Sequence, residues 1–458
     1  MTETLAPIDD FRAAIRGAVI GRDDALYDEA RVLFNAMIDK RPELIVRCRD
    51  VADVIAAVRY GREQGLETAV RAGGHNGPGL GSVDDGLVID LSPMNGVRVD
   101  PSTESVTVGG GALLGDVDHA AYAFGKVVPG GIISTTGVGG LTLGGGTGHL
   151  TRGYGLTIDS LLSADVVLAD GSFVRASEDE NDDLFWALRG GGGNFGVVTS
   201  FTFRLSPVSK VVGGPMFWPI ERSAEILDWY RGFIGEQPEE FSGFYNFHSV
   251  PPVPPFPEDL WLHKMCGVVW CCTDVDRADE LLAPARALDP AIDGVMEMPL
   301  PMLNAAFDGL YAAGDQWYWR TAFVQEVPDE AVEVNAEWGA QMPTWKSAMH
   351  LYPIDGVASR VGNDETAWAF RDARWAHVIV GVDPEASSAS ALRDWCVGYS
   401  EALAPYTMGA GYVNMMMDEG PDRVRASYRD NYERLAKLKA KYDADNFFHV
   451  NQNIRPAA

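Results

Sequence analysis

Residues 189–198 read RGGGGNFGVV, and their context decides the fold class. Gly191, Gly193 and Gly196 satisfy G-x-G-x-x-G, the spacing of a dinucleotide turn. That turn needs a strand before the glycines and a helix after them, because the diphosphate sits on a helix N-terminus. Here the order is reversed: residues 182–188 have helical character and residues 197–205 alternate like a strand. No acidic residue ends a second strand at the needed distance, so a conventional NAD site is not expected. The chain also has no G-x-x-x-x-G-K-[ST], G-x-S-x-G or H-E-x-x-H, which removes the usual support for nucleotide hydrolysis, serine acyl transfer and zinc proteolysis.

Two further glycine-rich stretches precede this one, RAGGHNGPGLGS from residue 71 and PGGIISTTGVGGLTLGGGTGHLTRGYG from residue 129. Glycine clusters let backbone N–H groups approach a ligand and form anion-binding nests. Three of them within about 130 residues favour a phosphate-bearing cofactor over simple tight turns. Around them the first 205 residues read as α/β, with helical segments at 9–17, 24–35 and 51–64 and strands at 44–47, 68–70, 87–91 and 105–108. From about residue 206 glycine thins out and tryptophan, methionine and proline rise, with VPPVPPFPED an extended surface loop. Residues 422–441 read as one helix, and YDADNFFHVNQNIRP follows. The expected organisation is a cofactor domain over 1–205, a substrate domain over 206–410, and a segment 411–458 returning to the first.

The chain of 458 residues carries a net charge of −28, which argues against nucleic acid or anionic lipid as a partner. No apolar run is long enough to span a membrane, and MTETLAPIDDFRAA lacks the features of a secretory signal. A soluble, cytoplasmic protein is expected. Cys48, Cys266, Cys271, Cys272 and Cys396 are odd in number and suit reduced thiols, and no metal site is expected.

The succession R-x-G-G-H at 71–75, P-G-G at 129–131, TGVGGLTLGGG at 136–146, YGLTIDSLLSADVVLADG at 154–171, RGGGGNFGVVT and YDADNFFHVNQNI resembles one flavoprotein superfamily. It is that of vanillyl-alcohol oxidase and para-cresol methylhydroxylase, in particular its berberine-bridge-enzyme-like branch. The resemblance covers nearly the whole chain. It implies an α+β architecture: a two-subdomain FAD-binding (PCMH-type) fold plus a substrate domain whose antiparallel sheet is backed by helices. It also implies FAD bound covalently through His75 to the flavin 8α-methyl carbon. A neutral imidazole is an available nucleophile at neutral pH. Many relatives add a cysteinyl bond at the position held here by Ile133, so a single tether is expected.

By the same resemblance, backbone from Ala72, Gly73, Gly74 and Asn76 and from Thr136, Gly137, Gly139 and Gly140 cradles the diphosphate. Arg71, Ser82, Pro129, Gly130, Thr135, Gly145, Gly146, Ile158, Gly196, Val198, Tyr412, Asn451 and Asn453 complete the cofactor site. Thr136 holds the position that governs access of dioxygen and favours an oxidase. Sugar-oxidising relatives carry Y-x-N-Y, whose second tyrosine is the base. Here GYVNMMMDEG keeps Tyr412 and Asn414 but has Met415 in that place. A thioether cannot accept a proton, so an apolar substrate wall and another base are expected.

Candidate bases are Tyr245, His248, Tyr318, His350, Asp355 and Glu365. His350 leads because it shares a strand face with Tyr352 in MHLYPID, and Tyr318 and Tyr412 stand beside it as catalytic candidates. His119, His149 and His449 are assigned structural roles. The expected activity is hydride transfer from a small alcohol, amine or aromatic to FAD and then to dioxygen, giving hydrogen peroxide. Oxidative cyclisation of a biosynthetic intermediate and a non-catalytic flavin module are the alternatives.

Overall fold

The structure, a computed structural model, describes residues 8–458. Two small sheets and one large sheet organise them. In the first, Leu44–Arg47 and Thr68–Arg71 both pair in parallel with Leu87–Asp90, and Ala18–Gly21 adds an antiparallel edge. The central strands are apolar and covered on both faces, as parallel strands require. The crossover helix Val51–Gln64 starts where the Asp50 carboxylate accepts from the Asp53 N–H and stops at Gly65 in the left-handed conformation. The second sheet is antiparallel, in the order Val97–Asp100, Ser105–Gly109, Val197–Arg204, Leu161–Val167 and Phe173–Ser177. Helix Asp182–Leu188 followed by strand Val197–Arg204 is the reversed order that the glycine turn at 189–196 requires.

The third sheet has eight strands and is antiparallel, running from Ile292–Asp293 through Lys210–Pro219, Lys264–Cys272, Phe241–Ser249, Ala348–Pro353 and Trp375–Asp383 to Gln316–Val324, with Met296–Pro299 also on the Lys210–Pro219 strand. Side chains alternate between its faces. Tyr245, Phe247, Met349, Leu351 and Ile379 pack beneath helices Ser223–Phe233, Ala278–Arg286, Asp329–Ala340 and Ala389–Leu403. The opposite face, carrying Phe244, Trp317, Trp319, Tyr352, Val378 and Val380, turns toward the glycine-rich loops.

Several expectations shift. The helix expected over 24–35 is only Tyr27–Arg31. The helix expected over 422–441 is two, Pro421–Tyr428 and Asn431–Tyr442. They part at Arg429, whose φ of 45° leaves the helical region while its guanidinium lies 3.8 Å over the Phe370 ring and pairs with Asp372 at 2.6 Å. All five cysteines are buried and unpaired. Among the described residues no helix is long and apolar enough to cross a membrane.

Candidate active site

A cavity of about 330 Å³ opens between the glycine-rich loops and the uncovered face of the large sheet. Its first wall is mostly backbone. Residues 71–76 and 136–140 meet so closely that a Cβ on Gly73 would lie 2.4 Å from the Gly137 nitrogen, and one on Gly137 equally close to the Gly73 nitrogen. Only glycine permits that contact. The turn at 192–196 completes the wall, with Gly192 and Gly196 at positive φ.

A buried ammonium ties this turn to the C-terminal return. Lys439 donates to the Asn194 carbonyl at 2.6 Å, the Phe448 carbonyl at 2.9 Å and the Asp443 carboxylate at 2.6 Å. The Asn194 side chain adds a bond to the Gln452 carbonyl and accepts from the Ile454 N–H.

His75 projects from this wall, half-buried. Phe34 stacks on its ring at 3.9 Å, and its Nε2 lies 3.0 Å from the Thr135 hydroxyl. Burial pushes the imidazole down to about 4, so it is neutral at physiological pH. With Nε2–H donating to Thr135, the lone pair stands on Nδ1.

The second wall is made of side chains from the large sheet. Trp317 and Trp319 stack at 5.3 Å, and Tyr311, His350, Tyr352, Val378 and Val380 continue the surface. His350 Nε2 lies 3.0 Å from His248 Nε2, and its Nδ1 lies 2.6 Å from the Tyr352 hydroxyl. Desolvation lowers both imidazoles, His248 to about 4. Between the walls, the Tyr412 hydroxyl accepts from the Gly146 N–H and from Asn414 Nδ2, each at 2.9 Å. Burial raises that phenol to about 12, which keeps it protonated. Met415 lies beside it in the lining.

The residues singled out from the sequence divide accordingly. Arg71, Ala72, Gly73, Gly74, His75, Asn76, Thr136, Gly137, Gly139, Gly140, Gly196, Val198, His350, Tyr412 and Asn451 line the cavity. Tyr318 does not, because strand alternation between Trp317 and Trp319 puts it on the other face, where the Arg320 guanidinium lies 5.0 Å over its ring. Asp355 is occupied with Arg152, Glu365 caps the Gly362 N–H, and Tyr245 donates to the Ser223 carbonyl under the helices.

Ser82, Pro129, Gly130, Thr135, Gly145, Gly146, Ile158 and Asn453 are not on the lining. Several of them support it: Pro129 accepts from Thr157, Ile158 sits in the apolar core and Thr135 holds His75. His119 is exposed, and His149 is buried with no partner among the described residues on either ring nitrogen. His449 accepts no role in the cavity; its ring bonds the Asn446 carbonyl.

This lining fits a dinucleotide flavin. A Cβ at Gly140 or Gly193 would meet nothing within 4 Å, leaving the backbone open to a ligand. Arg71 holds Asp90 at 2.8 Å and the Ala30 carbonyl with Nη2, yet its buried Nη1 has no partner among the described residues, nor has Asn451 Oδ1. Unsatisfied buried groups in a cavity wall are the donors and acceptors a polar ligand completes.

Comparison with known proteins agrees. Residues 42–177 match the FAD binding domain family, and residues 411–455 the family described as berberine and berberine like. An FAD-linked oxidoreductase of Dictyostelium discoideum is 30% identical over 98% of this chain and 97% of its own. The chain belongs to the berberine-like FAD-linked oxidoreductases. Its fold matches that of 6-hydroxy-D-nicotine oxidase from Arthrobacter nicotinovorans with a TM-score of 0.85, 26% identity and full coverage of both chains. Glucooligosaccharide oxidase from Acremonium strictum, whose flavin is described as 6-S-cysteinyl, 8α-N1-histidyl FAD, gives 0.85 at 25% identity, covering 99% of this chain and 100% of that one.

In this FAD-linked oxidoreductase, sequence reasoning missed Phe34, Asn194, Tyr311, Trp317, Trp319 and Lys439. Asn194 lay inside a quoted glycine motif, and Trp317 and Trp319 in a WYW run whose alternation marks one face. Phe34, Tyr311 and Lys439 carry no local signal, since each acts through a contact with chain far away in sequence.

Proposed function

We propose that this oxidoreductase is an oxidase of small, largely apolar substrates bearing an alcohol or amine, with its flavin tethered through His75 alone. FAD, when bound, supplies a two-electron acceptor for a substrate hydride and delivers the electrons to dioxygen as hydrogen peroxide. The observation that carries the substrate class is the second wall: stacked Trp317 and Trp319, Val378, Val380 and Met415 offer apolar surface, interrupted by the hydroxyls of Tyr311, Tyr352 and Tyr412, the His350 imidazole and the buried Trp317 indole N–H. A sugar, with a hydroxyl on nearly every carbon, would leave most of its hydrogen bonds unmade there. The tether is supported by a neutral, Phe34-stacked His75 on the cavity lining, and by Ile133, which has no nucleophile, on the same lining. Thr136, also on the lining, is in this reading the residue that dioxygen passes.

Aerobic peroxide release is measured against matched panels of aryl alcohols, aryl amines and oligosaccharides. Turnover of the aryl compounds is expected; turnover confined to oligosaccharides overturns the substrate class. After acid precipitation the yellow colour is expected in the pellet for the native protein and in the supernatant for His75→Ala. Colour retained by His75→Ala would place the tether elsewhere.

A further inference from the structure

With Met415 where a base would stand, the proton released on substrate oxidation needs another acceptor. The edge of the large sheet supplies one. His350 and Tyr352 share the cavity face of strand Ala348–Pro353, and His248 lies on the same face of the neighbouring strand, diagonal to His350 because Asn246 is the residue directly opposite. Two imidazole Nε2 atoms 3.0 Å apart can bond only if one is N–H and the other a lone pair. The Tyr352 hydroxyl at 2.6 Å from His350 Nδ1 fixes the rest: when Tyr352 donates, His350 carries its hydrogen on Nε2 and donates to His248.

We propose that Tyr352, His350 and His248 form a proton relay for the oxidase reaction, in which the substrate hydroxyl or amine rests against Tyr352. The proposal rests on the oxidase reading given above. The substrate O–H or N–H bond breaks and its proton forms a new O–H on Tyr352. The original Tyr352 O–H breaks in the same movement and its proton binds His350 Nδ1. One positive charge then lies on two imidazoles that share the Nε2 proton. The substrate carbon is oxidised by loss of hydride to the bound flavin, so the relay takes up only the proton.

Tyr352 and His350 touch the cavity and are the catalytic members. His248, reached only through His350, is a positioning residue, with Tyr311 Oη at 3.3 Å from its Nδ1. The titratable groups acting on His350 and Tyr352 are His149, His248, His377, Tyr311 and Tyr412, with no carboxylate among them. The pair is therefore neutral at rest and able to accept. It need not be a strong base, because a substrate heteroatom becomes acidic as its carbon loses hydride. A bound oxyanion beside the pair favours its charged form.

Benzoate, an aromatic anion the size of the expected substrates, probes the relay without turnover. Calorimetric titration of the holoenzyme at about pH 6, in buffers of different ionisation enthalpy, counts protons taken up on binding. Uptake of about one proton is expected for the native protein, and none for His350→Gln or Tyr352→Phe with flavin content unchanged. His248→Gln should bind benzoate with reduced uptake. Spectra of ¹⁵N-histidine-labelled holoenzyme should show His248 and His350 joined by one shared N–H, and Tyr352→Phe should alter the His350 tautomer.

Benzoate binding without uptake, uptake unchanged in His350→Gln, or no binding at millimolar concentration each overturns the relay. Peroxide formation from aryl alcohols together with any of those results leaves the oxidase reading standing and removes only the relay.

Discussion

The two walls of the cavity are built on opposite principles. The cofactor wall is backbone against backbone, with Gly73 and Gly137 in direct contact and open space beside Gly140 and Gly193. The sheet wall is side chain against side chain, with stacked tryptophans, imidazoles and phenols. A backbone wall tolerates almost no substitution and fixes one ligand. A side-chain wall keeps its strands while its surface changes, which is how one scaffold serves different substrates.

That contrast breaks first at Gly137. A methyl group there would sit 2.4 Å from the Gly73 nitrogen, and neither backbone has a flexible end to yield. Gly137→Ala is expected to cost more than the ~4–5 kcal/mol that marks the exceptional end of single substitutions. Flavin absorbance per protein should vanish, and soluble yield should fall. Trp319→Phe, which trims an aromatic ring on the other wall and leaves a small gap, should cost about 1–3 kcal/mol of stability but leave flavin content within about twofold, since it moves no backbone of the cofactor wall. Equal flavin loss in the two variants would erase the distinction.

The same contrast explains what was legible in the sequence. The cofactor wall depends on residue type along the chain: R-x-G-G-H, TGVGG and RGGGGNFG announce it because glycine is the only residue the geometry admits. The reversed helix-then-strand order around residues 189–198 likewise followed from local pattern. The sheet wall depends on which strands become neighbours. MHLYPID put His350 and Tyr352 on one face, but His248, about 100 residues earlier, joins them only through the Phe241–Ser249 and Ala348–Pro353 pairing. Tyr318 was misplaced for want of strand phase: its neighbours face the cavity, and it does not. The break at Arg429 was hidden because Pro421–Tyr428 and Asn431–Tyr442 have similar helical composition, and the contact that parts them is with Phe370 and Asp372.

The cofactor wall also leans on side chains, and Lys439→Met tests the one that makes the most bonds to the glycine turn and the C-terminal return. The ammonium is fully buried and holds the glycine turn, the 448 backbone and Asp443 together. Removing it leaves Asp443 as a buried charge with only the Phe447 and Phe448 N–H groups for partners. Breaking a buried pair in this way costs about 3–5 kcal/mol. A melting temperature lower by several degrees is expected, together with faster loss of untethered flavin from the His75→Ala, Lys439→Met double variant. An unchanged melting temperature would mean that the turn holds itself.

The smallest effect separates the walls by pH. His149 follows the glycine loop in sequence, yet its ring lies 5.8 Å from Phe244 of the large sheet, and neither ring nitrogen has a partner among the described residues. Burial pushes it down to about 3, so it is neutral in the folded protein, whereas the unfolded chain binds its proton near the ordinary value of about 6.5. The folded value is the lower one, so the unfolded state holds more protons in this window. The stability from a neutral His149 is therefore complete above about pH 6.5 and is lost as pH falls toward 3, at up to ~1.4 kcal/mol per pH unit. His149→Leu removes that proton and the unsatisfied nitrogens. It should raise stability at pH 7 by about 1 kcal/mol and flatten the acid side of the stability–pH curve by one proton. His248 at about 4, on the cavity face of the large sheet, and His377 at about 3, on its helix-covered face beside Asn335, add the same sign, against His75 alone, at about 4, on the cofactor wall. Acid should accordingly loosen the sheet wall before the cofactor wall. Denaturant titrations from pH 7 to 4, followed by tryptophan fluorescence for the sheet and flavin fluorescence for the cofactor side, would show the two signals separating; coincident transitions would make the walls one cooperative unit.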